Sequence, residues 1–133
     1  MSYPAMKEAE VDVRLGTDGS ASNNSLDMRA EAKAASLVQK HDHWNARVLG
    51  PIETWQLATK GSEDWVTWDL NDIRMRPRGR DGRRLLSNLI YSGARCLDVI
   101  VAGEALRRDG VTLTVDEGAA GAALEEGVSE YYT

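Results

Sequence analysis

The chain has 133 residues, 42% of them hydrophobic and 28% charged, with a formal net charge of −5. That size and balance suit one soluble globular domain able to bury a core unaided; the lone Cys96 excludes an internal disulfide, and Arg95 and Asp98 break the longest apolar run, against a membrane span. The opening M-S-Y-P-A-M-K-E-A-E lacks the apolar stretch of a secretory signal, so the expected setting is cytoplasmic, or a virion if the source is viral.

Residues 1–8 read as a polar arm. In 9–16, Val11, Val13 and Leu15 alternate with Glu10, Asp12 and Arg14, the pattern of a half-buried strand. The polar loop T-D-G-S-A-S-N-N follows. It is no calcium loop, because the twelfth position from Asp18 is Arg29, where a bidentate Glu is needed. Ser25 then caps a helix whose apolar stripe is Leu26, Ala30, Ala34, Leu37, His41, Trp44 and Val48, ended by Gly50-Pro51. His41 joins that stripe as a packed histidine and His43 points away, so H-D-H is no metal pair.

Residues 52–59 and 65–70 are short, β-branched and aromatic, and 60–64 suits a hairpin loop between them. The alternative is a helix from Trp65 capped by Ser62. Next come Arg74, Arg76, Arg78, Arg80, Arg83 and Arg84, set against Asp81 alone. If extended, the first four project from one face about 6.6 Å apart, and the last two sit in the first turn of a helix. Cations there oppose the helix dipole unless an anion joins them. That anion is either phosphate or a neighbour's carboxylate, unless the run is a solvated loop balanced by the chain's own Asp and Glu. The sequence leaves the choice open.

The apolar run from Leu85 to Leu106 reads as one long helix, with Asp81 as N-cap and Asp109-Gly110 as its stop. It is apolar nearly all round, which implies cover on more than one side. Leu85, Ile90, Gly93, Ala94, Val101 and Ala102 are the expected interface, the alternative being that the C-terminal segment folds back over the helix. Residues 111–115 form a strand, and the acidic segment 116–133 contains a weak, glycine-rich helix.

Strand, helix, strand, strand, helix, strand is the split βαβ, or ferredoxin-like βαββαβ, pattern. The expected fold is therefore a single α+β domain, 1–133, built as a two-layer sandwich with an antiparallel sheet and a C-terminal extension.

Catalytic signatures are absent: G-x-S-x-G, H-E-x-x-H, C-x-x-C and the phosphate loop do not occur. Cys96, mid-helix among apolar residues, is expected to be inert. Asp69 and Asp72 near Arg74 read as plain ion pairs. No catalytic residue, metal ligand or cofactor is assigned. The reading that follows is a non-enzymatic structural protein, a small phage or bacterial subunit forming homo-oligomers or larger assemblies through its basic loop and central helix. The alternative is a nucleic-acid- or phosphate-binding module using residues 74–84. A second alternative is a small enzyme with an undisclosed site.

Overall fold

The computed structural model describes residues 2–131; position 1 of the polar arm and positions 132–133 of the acidic segment lie outside the described residues. The chain divides into two compact units, Met1–Ser62 with Leu70–Ala94, and Glu63–Asp69 with Arg95–Thr133.

The first unit is helical. Its polar arm is not a loose tail but helix α1 (Tyr3–Glu8), with Pro4 in the first turn and Ser2 Oγ accepting from Ala5 N at 3.4 Å. Tyr3 is buried and its N–H donates to Gln39 Oε1 at 2.7 Å. Residues 11–19 take no regular structure, against the expected strand. Apolar alternation makes a strand only where another strand lies beside it. The neighbour here is a helix, which accepts one bond, Leu15 N to Leu57 O, 3.0 Å.

The short helix α2 (Ser20–Asn23) ends on Asn24 in the left-handed conformation, φ 56°. Helix α3 (Met28–Asp42) is capped by Asp27, not Ser25: Asp27 Oδ1 accepts from Arg29 N at 2.9 Å and Ala30 N at 3.2 Å. Its buried face holds Ala32 and Ser36, while Leu37, His41 and Trp44 of the expected stripe are exposed. Small residues win that face because they let neighbouring helices approach closely.

Residues 52–59 form helix α4 (Pro51–Thr59), not a strand. Pro51 presets the helical φ of the first turn. Thr54, fully buried, returns its hydroxyl to Leu49 O and Gly50 O, both at 2.9 Å. A 3₁₀ turn (Ile73–Met75) precedes helix α5 (Gly82–Ser92). Ala32, Leu49, Met75, Leu89 and Ile90 close the core of this unit.

The second unit is a four-stranded antiparallel sheet, β1 (Trp65–Trp68), β2 (Cys96–Val101), β3 (Glu104–Arg108) and β4 (Val111–Thr112), ordered as in sequence and followed by helix α6 (Glu117–Tyr131). The strand expected at 65–70 is therefore present, and that at 111–115 is present but shorter. The long helix to Leu106 is not. It stops at Ser92 because Gly93 takes φ 81°, and C-L-D-V-I-V then alternates as a strand. Ala102 and Gly103 (φ 51° and 82°) and then Asp109 and Gly110 (φ 50° and 84°) are two-residue hairpin turns, joining Val101 to Glu104 and Arg108 to Val111. Two successive positive φ values match the twist of flanking strands. Asp109-Gly110 is thus a strand reversal and not a helix stop. Mixed α+β structure with an antiparallel sheet stands. The βαββαβ order does not, because two expected strands are a helix and an unpaired segment, and half of the long helix is a hairpin.

Candidate functional site

The six arginines do not act as one row. Arg74 lies in the 3₁₀ turn, whose curvature breaks the expected alternation, and grips Asp72 with Nε at 3.0 Å and Nη2 at 2.6 Å. Arg78 is also occupied: its Nη2 donates to Leu70 O at 2.7 Å and Asn71 Oδ1 at 2.9 Å. Arg76 and Arg80 are exposed in the connection. Arg83 and Arg84 are exposed in the first turn of α5, where Asp81 caps the helix by accepting from Arg84 N at 3.3 Å.

The expected interface is divided. Ile90 is fully buried and Gly93 buried inside the first unit, with Leu85 and Ala94 half-buried; Val101 and Ala102 are exposed in the second unit, at the β2–β3 turn. No single helix carries all six. The apolar residues at 85–94 pack in the core of their own unit, so the argument for a helix needing outside cover fails there.

Neither histidine follows its sequence reading. His41 is exposed beside Trp44, ring centroids 5.6 Å apart, while half-buried His43 places Nε2 3.1 Å from Ser2 Oγ. Among the described residues no cluster of three or more His, Cys, Asp or Glu is placed to hold a metal ion. Cys96 sits half-buried in β2, not in a helix. Burial pushes its thiol up, with Arg107 opposing. Asp72 pairs with Arg74, and Asp69 with Arg95 at 3.2 Å, so these acids are the ion pairs expected.

Several other acidic groups are also committed. Asp12 faces Lys60 and Arg14, Asp27 faces Arg29, Glu53 faces Lys7, and Glu117 faces Arg107. Lys60 hydrogen bonding holds Asp12 below the usual carboxylate range, and Thr112, then Arg107, do the same for Glu117. Asp18 differs. It stands exposed on the loop before α2 with φ 58°, and Gly19 N donates to its Oδ1 at 2.8 Å. The loop is braced from behind: Asn23 Nδ2 donates to Thr17 O at 2.9 Å and Glu31 Oε1 at 2.6 Å. Asp18 thus presents a carboxylate with no basic partner among the described residues, on a loop held by local hydrogen bonds. The sequence reading weighed Asp18 only as a calcium ligand. The Thr-Asp-Gly-Ser run flanked by Asn was the available signal, since Asn and Asp tolerate left-handed conformations and bond locally.

No family model matches the chain. It is 38% identical over 133 residues to a 5-methylthioadenosine/S-adenosylhomocysteine deaminase of Archaeoglobus fulgidus, covering 86% of this chain and 31% of that protein. The deaminase of the same name from Bacillus cytotoxicus is 35% identical over 130 residues, covering 85% and 30%. A crystal structure of an adenosine deaminase from Xanthomonas campestris with bound zinc superposes with TM-score 0.79 at 27% identity, over 95% of this chain and 32% of that one. The chain therefore spans about a third of the length of each. These likenesses overturn the reading as a non-enzymatic structural subunit held in an oligomer. The proteins it resembles are named as enzymes, and the geometry above removes the two features, a continuous arginine row and an uncovered long helix, on which that reading stood. Among the described residues, no helix is long and apolar enough to cross a membrane.

Proposed function

We propose that this chain serves in hydrolytic deamination of an adenine nucleoside, of the kind its relatives are named for, and that Asp18 handles protons in that reaction. The observation that carries the reading is the agreement of sequence and fold over most of the chain with deaminases. In such a reaction water adds to the ring carbon bearing the amino group. The C–N bond then breaks, the amine leaves as ammonia and a carbonyl remains. A group must take a proton from the water, and a proton must reach the departing nitrogen. An exposed carboxylate held at one oxygen by a backbone N–H suits that transfer.

The structural neighbour carries zinc. The donors described here do not amount to a zinc site: Asp18 offers one carboxylate, His43 is on Ser2, and no triad of donors is assembled. No step is therefore assigned to a metal on this chain.

The test is a graft. This chain replaces the segment it matches in the Archaeoglobus relative, and ammonia release from 5′-methylthioadenosine and S-adenosylhomocysteine is measured. The expected result is an active hybrid whose rate falls about a hundredfold or more with Asp18→Asn, the scale of lost acid–base catalysis. A folded but inert hybrid would refute the proposal. An active hybrid indifferent to Asp18→Asn would remove only the role given to Asp18.

A further inference from the structure

We propose that the cleft between Arg47 and Arg83 is an oxyanion site, taking the carboxylate or phosphate group of a small molecule. The cleft is a cavity of about 330 Å³ in the first unit, lined by Arg47 from the loop after α3, the start of α4, Gln56 and Arg83 from the first turn of α5. The two arginines come from separate elements and both line this one cleft. Neither has an acidic partner among the described residues, whereas Arg14, Arg29, Arg74, Arg95 and Arg107 all do. The one acid in the wall, Glu53, is taken by Lys7. Two like charges lining a common cavity repel each other until an anion enters between them, and a planar guanidinium matches the paired oxygens of carboxylate and phosphate. Gln56 adds a neutral amide to the wall.

The volume and the neighbours decide what kind of anion. At the lower end of small-ligand pockets, the cleft suits one charged group. A polyanion would need a continuous row of cations beside it, but Arg74 and Arg78 are spent on Asp72, Leu70 O and Asn71. The ligand is therefore a small molecule. Its charge comes either from free phosphate or from the tail of a substrate: S-adenosylhomocysteine carries an amino-acid carboxylate that 5′-methylthioadenosine lacks. The site goes beyond the deamination reading and does not depend on it, since phosphate can bind to a chain that deaminates nothing.

The experiment titrates the whole chain at low salt with inorganic phosphate, S-adenosylhomocysteine and 5′-methylthioadenosine, reading amide chemical shifts. Saturable phosphate binding is expected, weakened about tenfold or more by Arg47→Ala and by Arg83→Ala, as when a charged hydrogen bond is lost. Arg80→Ala, exposed and outside the cleft, leaves affinity within about twofold. A preference for S-adenosylhomocysteine over 5′-methylthioadenosine that vanishes in the two cleft variants identifies the carboxylate tail as the source. Phosphate binding without that preference identifies a free anion. Two results overturn the site: no saturable binding of either anion, or equal losses in all three arginine variants, which would make the effect one of diffuse charge.

Discussion

Each of the two units is stabilised internally by different physics. Tyr3, Ala32, Leu49, Met75, Leu89 and Ile90 are all buried in the first, whereas among the described residues Ile100 is the buried apolar residue of the second. The second relies on its ladder, on Asp98 accepting from Thr67 Oγ1 at 2.6 Å and Asp109 N at 3.1 Å, and on Arg107 reaching Thr112, Gly110 O and Glu117. Its helix α6 is exposed at every side chain from Glu117 to Ser129. The same chain thus contains a packed helical core and a sheet stabilised mainly by hydrogen bonds and turns. A residue of similar apolarity should matter very differently in the two.

Ile90→Ala should give the largest effect, a loss of about 2–5 kcal/mol by chemical denaturation, because Ile90 is fully buried and its loss leaves a cavity. The matching Val101→Ala, on a residue 37% exposed, should stay within about 1 kcal/mol. Equal losses would erase the contrast. Next in size is Ser36→Ala, about 1–3 kcal/mol. Ser36 Oγ is fully buried, bonds Leu49 O at 2.8 Å and Tyr91 Oη at 2.7 Å, and receives Lys40 Nζ. An unchanged midpoint would show that this polar cluster contributes nothing to the core.

Gly103→Val is expected to cost about 1–2 kcal/mol, seen as lost amide protection in β2 and β3. Nothing crowds the position, so the cost is conformational: φ is 82°. Protection unchanged there would show that the turn does not limit the sheet. The smallest effect is a pH dependence. Thr67, then the Asp109 N–H, hold Asp98 below the usual carboxylate range. The unfolded state therefore binds more protons, and this stabilisation is present above the ordinary aspartate range near ~3.9 and lost as pH falls through the lower folded value. Urea midpoints from pH 7 down to 3 should show the decline, and Thr67→Val should flatten it; an unaltered slope in the variant would assign acid sensitivity elsewhere.

What the sequence disclosed follows the same division. Some local signals were readable: the strand at Trp65–Trp68, preferred over a helix capped by Ser62, the cap at Asp81 and the antiparallel sheet. Others, with two meanings, were misread. Asp109-Gly110 serves a helix end or a hairpin equally well, and eight residues at 52–59 are too few to separate a period of 2 from one of 3.6. The long apolar run hid a helix and a strand because burial in a core erases the polar face that would distinguish them. Of the candidate site, arginine abundance was plain, but which guanidinium groups stay unpaired is settled by acids such as Asp72 in three dimensions. Asp18 was visible as a loop residue only. Its lack of a basic partner is a property of the fold.

The division of the chain into units also bears on how it can be taken apart. Residues 63–69, which supply β1, belong with 95–133, yet 70–94, including α5 and its buried Ile90, belong with 1–62. The backbone passes from one unit to the other and back before the first is complete. No single cut separates them: cleavage after Ser62 deprives the helical unit of α5, and cleavage after Ala94 strips β1 from the sheet. Each truncation therefore spares one unit and breaks the other: 1–94 keeps every residue of the helical unit, and 63–133 keeps every residue of the sheet unit. Separating them takes a permuted chain, with 70–94 joined directly to 1–62 and 63–69 carried on the front of 95–133.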